Sequence, residues 1–355
     1  MPSSSKGLRR ASETYHLTAP DIASKTTGFP GDVNCDIAVG MDERPIPSRL
    51  VFIWFGDRLP VTARVAVRSA MSACRPDETL IVHEGLEEGQ AKDLEEAGAR
   101  LEPAGRGWFE GLPGGGGAAK RLYETLDSPA SRANLLRLAV LWRKGGVYLD
   151  TDTITLRDLD DLRRFDGFCG LEPVALPGDL FGSLNPVRWL AAGLRLVLRE
   201  GCVRMDSGVE VFRRLEPHYA HAVNNAVLGS RPGNPLIARA FEMIEGMDPA
   251  SRMRRYRLGT HLLQRLTCNR SGPDMEVLPA GTFYPLGPEI SAHWFREGSA
   301  SRLDSLLRPE TRIVHWYSSV EERVGLRRID DGYIRSHADR TAFARLACPH
   351  LPTTG

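Results

Sequence analysis

Leu50-Val51-Phe52-Ile53-Trp54-Phe55 is a continuous apolar run closed by Gly56, and it limits the fold more than any other stretch of the chain. Such a run, without polar alternation, suits a strand buried on both faces inside a parallel sheet. Val61 to Cys74 follows with helical spacing, and Arg75-Pro76 stops it. Thr79-Leu80-Ile81-Val82 is the next short strand, Gln90 to Ala97 a polar helix, and Ala99-Arg100-Leu101-Glu102 a third strand. This alternation predicts an α/β domain with a Rossmann-like, mostly parallel sheet flanked by helices.

Bulk properties exclude several classes. Of 355 residues, 42% are hydrophobic, enough for a sizeable core. Lys and Arg total 46 against 45 Asp and Glu, a net charge of +1, so no overall field recruits nucleic acid. The dense basic cluster Arg252-Met253-Arg254-Arg255-Tyr256-Arg257 reads as a solvated helix end or loop. Cysteines at 35, 74, 169, 202, 268 and 348 lack metal-ligand spacing, so reduced thiols in a cytoplasmic setting are expected. No run of about 18 apolar residues suggests a membrane-crossing helix. Residues 1–44 are polar and aperiodic and read as a flexible leader. The Gly114–Gly117 run lacks a following Lys-Ser/Thr, so a flexible loop is expected there rather than a phosphate cradle.

Residues 128–156 carry the most information. Ser128 suits an N-cap and Pro129 the first helical position. Leu135, Leu138, Ala139, Leu141 and Trp142 supply apolar faces, and Gly145-Gly146 ends the helix after Arg143-Lys144. Val147 to Leu156 then reads as one strand, with Tyr148, Asp150 and Asp152 on the same side. Its carboxyl end is where open α/β sheets bind ligands.

Residues 174–221 read as a helical insertion. Its Pro186–Glu200 stretch is a helix, packed on the main domain or making peripheral contact with a membrane surface. Asn224 to Ser230 is a short strand, Asn234-Pro235 caps a helix to about Glu245, and residues 258–266 form another. The expected organisation is a leader over 1–44, a main domain over 45–320 and a C-terminal tail over 321–355.

Two carboxylates one residue apart at a strand end make a natural hard-cation site, with side chains roughly 6.6 Å apart along an extended chain. Oxygen donors of this sort select Mg²⁺ or Mn²⁺, which also take substrate phosphate oxygens. Alone, Asp-x-Asp is equally a solvated acidic turn. Its surroundings add to it. Ser131-Arg132-Ala133-Asn134-Leu135-Leu136-Arg137, a helix, Gly145-Gly146 and Tyr148-Leu149-Asp150-Thr151-Asp152 together resemble the glycosyltransferase family whose sugar-binding region contains a DXD motif. Yeast-type initiating mannosyltransferases, α1,4-galactosyltransferases and, more distantly, clostridial toxin glucosyltransferases share that pattern.

The resemblance implies a GT-A fold and a metal-dependent, retaining transfer of a hexose or N-acetylhexosamine from a UDP- or GDP-sugar. It implies that Trp54 stacks on the nucleobase, that Arg137 holds the donor sugar or phosphates, and that Tyr148 precedes the acids as an aromatic contact. Asp150 is expected at the ribose and metal-bound water and Asp152 on the metal itself, either Mn²⁺ or Mg²⁺. Asn225 stands where the family has an amide near the donor sugar. His315-Trp316-Tyr317-Ser318 resembles a closing loop, with His315 and Ser318 as metal or diphosphate ligands. Asn134 departs from the pattern: the family has an acid there. An amide still bonds sugar hydroxyls, but a negative charge is lost. Two other chemistries compete, a haloacid-dehalogenase-type phosphatase with Asp150 as nucleophile and a non-catalytic sugar-nucleotide or carbohydrate-binding module.

Overall fold

A computed structural model of the chain describes residues 45–248, 258–268, 271–320 and 329–352. The expected leader and the basic cluster at 252–257 lie outside the described residues. The first half follows the expected alternation: β1 (Arg49–Phe55), α1 (Val61–Cys74), β2 (Glu78–Glu84), α2 (Glu88–Glu96) and β3 (Ala99–Pro103). These strands are parallel, with β1 between β2 and the later strand β4 (Gly146–Leu149). Burial on both faces explains the unbroken apolar run of β1. Leu50 and Phe52 join the core on one side of the sheet, and Val51 and Ile53 the core on the other.

The glycine run is not a loose loop. It is a tight turn entering α3 (Gly117–Thr125), and Glu245 accepts the Ala118 N–H at 2.6 Å. Then α4 (Pro129–Lys144) begins with Ser128 accepting from the Ser131 amide. Gly145, at φ 65°, makes the junction with β4, and a Cβ there would stand 2.6 Å from Pro232.

The single strand expected from Val147 to Leu156 is two strands. β4 stays in the main sheet, whereas β5 (Thr153–Thr155) leaves it and pairs antiparallel with β9 (Ile313–His315). Asp150-Thr151-Asp152 is the turn between them, where Thr153 Oγ1 donates to the Asp150 carbonyl at 2.8 Å. Short polar side chains that bond nearby backbone compete with a ladder, which is why the strand breaks here.

The sheet has seven strands in the order β3-β2-β1-β4-β7-β6-β8. β7 (Ala220–Ser230) is antiparallel to both β4 and β6 (Gly167–Val174), and β8 (Glu276–Leu278) is parallel to β6. This is the expected α/β, mostly parallel sheet flanked by helices. Between β6 and β7 lie α5 (Pro186–Arg204) and α6 (Gly208–Leu215). α7 (Pro235–Gly246), capped by Asn234, and α8 (Thr260–Thr267) cover the sheet farther on.

The C-terminal segment is part of the core. It forms α9 (Asp331–His337) and α10 (Ala342–Ala347). Phe343 of α10 is buried with its ring 4.8 Å from Phe295 and 5.1 Å from Trp316, centroid to centroid.

Candidate active site

Four segments converge at the carboxyl ends of β1 and β4. β1 brings Trp54, the first turn of α1 brings Thr62 and Arg64, α4 brings Arg137, and the β4–β5 turn brings Asp150, Thr151 and Asp152. They line a cavity of 940 Å³, which Ser318 and Asp330 close from the C-terminal side. Trp54 is half-buried, with its indole N–H buried and without a hydrogen-bond partner.

Asp152 is the most tightly held group. His315 Nε2 lies 2.9 Å from one carboxylate oxygen, and the Ser318 backbone N–H donates to the other at 2.9 Å. The Asp152 carbonyl accepts the Trp316 amide at 3.1 Å. Burial opposes the charged carboxylate, but His315 and the Ser318 amide outweigh it and hold the pKa down to about 2. On His315, burial pulls the pKa down, while the charge and bond of Asp152, with Asp150 and Glu172 nearby, leave it raised. β5–β9 pairing sets this contact, because Thr153 lies opposite His315.

Asp150 faces a different partner. Its backbone N–H donates to Ala226 of β7 at 2.8 Å. Its carboxylate accepts from the Tyr148 hydroxyl and lies 3.2 Å from the Arg137 guanidinium. Burial first, then repulsion by Asp152, raises its pKa despite Arg137; the side chain's 26% exposure moderates that rise. Arg137 is buried. It stacks on Tyr148 at 4.3 Å from the ring centroid and donates to the Asn225 carbonyl. Arg137 is therefore first of all the counter-ion of Asp150.

The donor atoms of Asp150, Asp152 and His315 all lie within 4.8 Å of one another. Two carboxylate oxygens and an imidazole nitrogen suit Mn²⁺ or Mg²⁺, with the open cavity left for phosphate oxygens. The residues present thus fit a divalent ion. Ser318 meets Asp152 through its backbone amide.

Asn134 and Asn225 do not line the cavity. They bond each other at 2.8 Å, Asn225 donating, directly behind Arg137. An acid in place of Asn134 would still accept that bond.

Several contributors were not foreseen from sequence. The N-terminus of α1 follows Pro60 with no side-chain cap and faces the cavity, an arrangement suited to anions. Arg64 there pairs with Asp331 at 3.6 Å. Behind the closing segment, buried Glu172 of β6 accepts from Tyr317 at 2.7 Å and Asn224 at 2.6 Å. Tyr317 has φ 58°, a left-handed conformation uncommon for a non-glycine residue. Glu172 ties that strained corner to β7, whose Ala226 in turn holds the Asp150 amide. A Pro60 before a helix was a readable signal; Glu172 had none.

Residues 60–168 match the family model described as a glycosyltransferase sugar-binding region containing a DXD motif. Over that stretch, about a third of the chain, it carries the sugar-binding region of a DXD-motif glycosyltransferase. A match to this family sets aside the phosphatase reading of the Asp-x-Asp turn. No curated protein matches the chain. Among solved structures, the glycosyltransferase matches a PaToxG glycosyltransferase at 15% identity and TM-score 0.40, covering 63% of this chain and 69% of that one. It matches a WbbM bifunctional glycosyltransferase at 10% identity and TM-score 0.46, covering 91% of this chain but only 51% of that one. A galactosyltransferase LgtC, solved with donor and acceptor sugar analogs, matches at 14% identity and TM-score 0.32, covering 75% and 86%. At that distance these likenesses add nothing to the motif and the topology.

Proposed function

We propose that this glycosyltransferase moves a hexose or N-acetylhexosamine from a UDP- or GDP-linked donor to an acceptor, with retention of configuration and with Mn²⁺ or Mg²⁺. The observation that carries this reading is the convergence of Asp150, Asp152 and His315 beside a cavity that Trp54 and Arg137 line. When bound, the ion supplies charge neutralisation to the departing diphosphate.

The protein groups divide the remaining work. Asp152 and His315 hold the ion, and the Ser318 segment closes over it. Asp150, fixed by Tyr148 and Arg137, faces the ribose and the ion's water. Trp54 offers a flat surface for the base. The uncapped start of α1 faces negative charge, and Asn134 and Asn225 support the sugar side through Arg137. Retention rests on the motif's resemblance. Among the described residues the cavity's other carboxylates have partners, Asp330 capping α9 and Asp331 facing Arg64 at 3.6 Å, and no protein nucleophile is assigned. Front-face departure and attack need none.

The compartment we infer is the cytoplasm. Among the described residues the five cysteines are free thiols, and burial raises the pKa of Cys74 and Cys169 to about 12, which leaves both unreactive. Among the described residues no helix is long and apolar enough to cross a membrane. A panel of UDP- and GDP-sugars, with Mn²⁺ and then with a chelator, tests the function. Donor turnover with Mn²⁺, abolished by the chelator, is expected. Undiminished turnover in chelator refutes metal dependence, and no turnover of any donor refutes the donor class.

A further inference from the structure

Among the described residues, every well-exposed large hydrophobic side chain falls between Leu176 and Met205. The remainder of the surface shows no comparable patch, so the concentration calls for a cause. Its centre is α5. On that helix Ala192 and Cys202 are buried against the domain, while Val187, Leu190, Leu194 and Val197 point outward at 69%, 75%, 59% and 69% exposure. Their spacing of three, four and three places them on one stripe. Ordinary surface helices turn polar residues outward; α5 does the reverse. Just before it, Leu184 is 99% and Phe181 68% exposed.

Charge and residue type indicate what covers this face. Pro186–Arg204 contains Arg188, Arg195, Arg199 and Arg204 against one acid, Glu200. Arg204 pairs with Glu200 at 2.9 Å and Arg199 with Glu289 at 3.6 Å, whereas Arg195 donates to the His218 carbonyl and keeps its charge unmatched there. Arg188 and Arg204 stand exposed at the two ends of the stripe. Trp189 packs edge-on against Phe181 at 6.0 Å beside the first end. Leu and Val are under-represented among residues that dominate protein interfaces. An apolar stripe with arginines at its ends and an aromatic pair at one of them is instead the pattern of a helix lying in a bilayer interface. At 19 residues α5 is about 28 Å long, and its buried inner face keeps it on the domain, so it lies flat.

We propose that α5 and the Phe181–Leu184 segment dock this protein on an anionic lipid surface, with the apolar stripe in the acyl boundary and Arg188 and Arg204, exposed at its two ends, at the headgroups. This takes up the alternative that the sequence left open for the 186–200 helix, beside packing on the domain, and is independent of the donor chemistry.

The test is cosedimentation of the full chain with phosphatidylcholine vesicles, with and without phosphatidylglycerol. The wild type is expected to bind the phosphatidylglycerol vesicles, more weakly at high salt. Leu190→Glu/Leu194→Glu is expected to weaken binding about tenfold or more, with donor hydrolysis and circular dichroism unchanged, since both residues are exposed and outside the site. Arg204→Gln is expected to weaken binding only to the anionic vesicles. No binding to any vesicle overturns the proposal, as does equal binding by the double variant. So does sedimentation velocity showing a wild-type dimer that the double variant abolishes, which would make the face an interface between copies. Donor hydrolysis is scored separately, so failure of the transferase reading and failure of lipid docking are told apart.

Discussion

Arg137→Met removes the guanidinium that faces Asp150 while keeping most of the side-chain volume. The expected magnitude follows from the geometry. At 3.2 Å and an effective dielectric constant of about 20, the Coulomb attraction is roughly 5 kcal/mol. Desolvation of the buried arginine offsets much of that, and breaking a buried pair by removing one partner costs about 3–5 kcal/mol. Asp150 retains 26% exposure, so water partly replaces the lost partner, and protonation relieves the rest because its pKa is already raised. The net loss expected is about 2–3 kcal/mol at neutral pH, including the Asn225 carbonyl left without its donor. Urea unfolding at pH 7 in chelator measures it. Adding Asp150→Asn to Arg137→Met should recover a substantial part of the loss, because the unpaired charge is then gone. A loss below about 1 kcal/mol, or no recovery in the double variant, would refute the reasoning that Arg137 serves Asp150.

Three further outcomes are expected. Asn134→Asp keeps an acceptor for Asn225, so unfolding free energy should stay within about 1 kcal/mol while donor preference shifts; unchanged preference across the UDP- and GDP-sugar panel would count against a role near the sugar. Phe343→Ala empties a buried ring site beside Trp316 and Phe295, and urea unfolding should show a loss of about 3–5 kcal/mol; a loss under 1 would mean α10 is not built into the core. In chelator, the His315–Asp152 pair contributes stability that is full below the ordinary histidine pKa of 6.5 and is lost as pH rises through the raised folded value. The melting temperature of the wild type should therefore fall more steeply as pH rises above 6.5 than that of His315→Gln, and parallel slopes would contradict the pairing.

Local signals made the first half of the fold legible. α1 spans Val61–Cys74 as its spacing predicts, because Pro60 and Arg75-Pro76 bracket it. Ser128, Pro129 and Gly145 likewise mark the ends of α4. What the sequence concealed was non-local. β6 escaped notice because Gly170, Glu172 and Pro173 break its apolar pattern, yet Gly170 is needed where a Cβ would press within 2.8 Å of Phe283 and Tyr284. The departure of β5 from the sheet depends on a partner strand more than 150 residues later, Thr153 lying opposite His315. The candidate site follows the same division. The Tyr148–Asp152 motif and Arg137 stand out locally by type and spacing, whereas the pairing of Arg137 with Asp150, the Asn134–Asn225 bond and the Glu172–Tyr317 tie require the fold. Composition hinted at the apolar face of α5, but only packing shows that it points outward.

The central claim is that Asp150, Asp152 and His315 together hold a divalent ion for the donor diphosphate. Titration of the wild type and Asp152→Ala with Mn²⁺ by calorimetry, with nucleoside diphosphate present, tests it most directly. One Mn²⁺ site in the wild type, weakened at least about 100-fold in Asp152→Ala with loss of metal-dependent donor hydrolysis, is the predicted result. Equal Mn²⁺ affinity and full Mn²⁺-dependent activity in Asp152→Ala would contradict it.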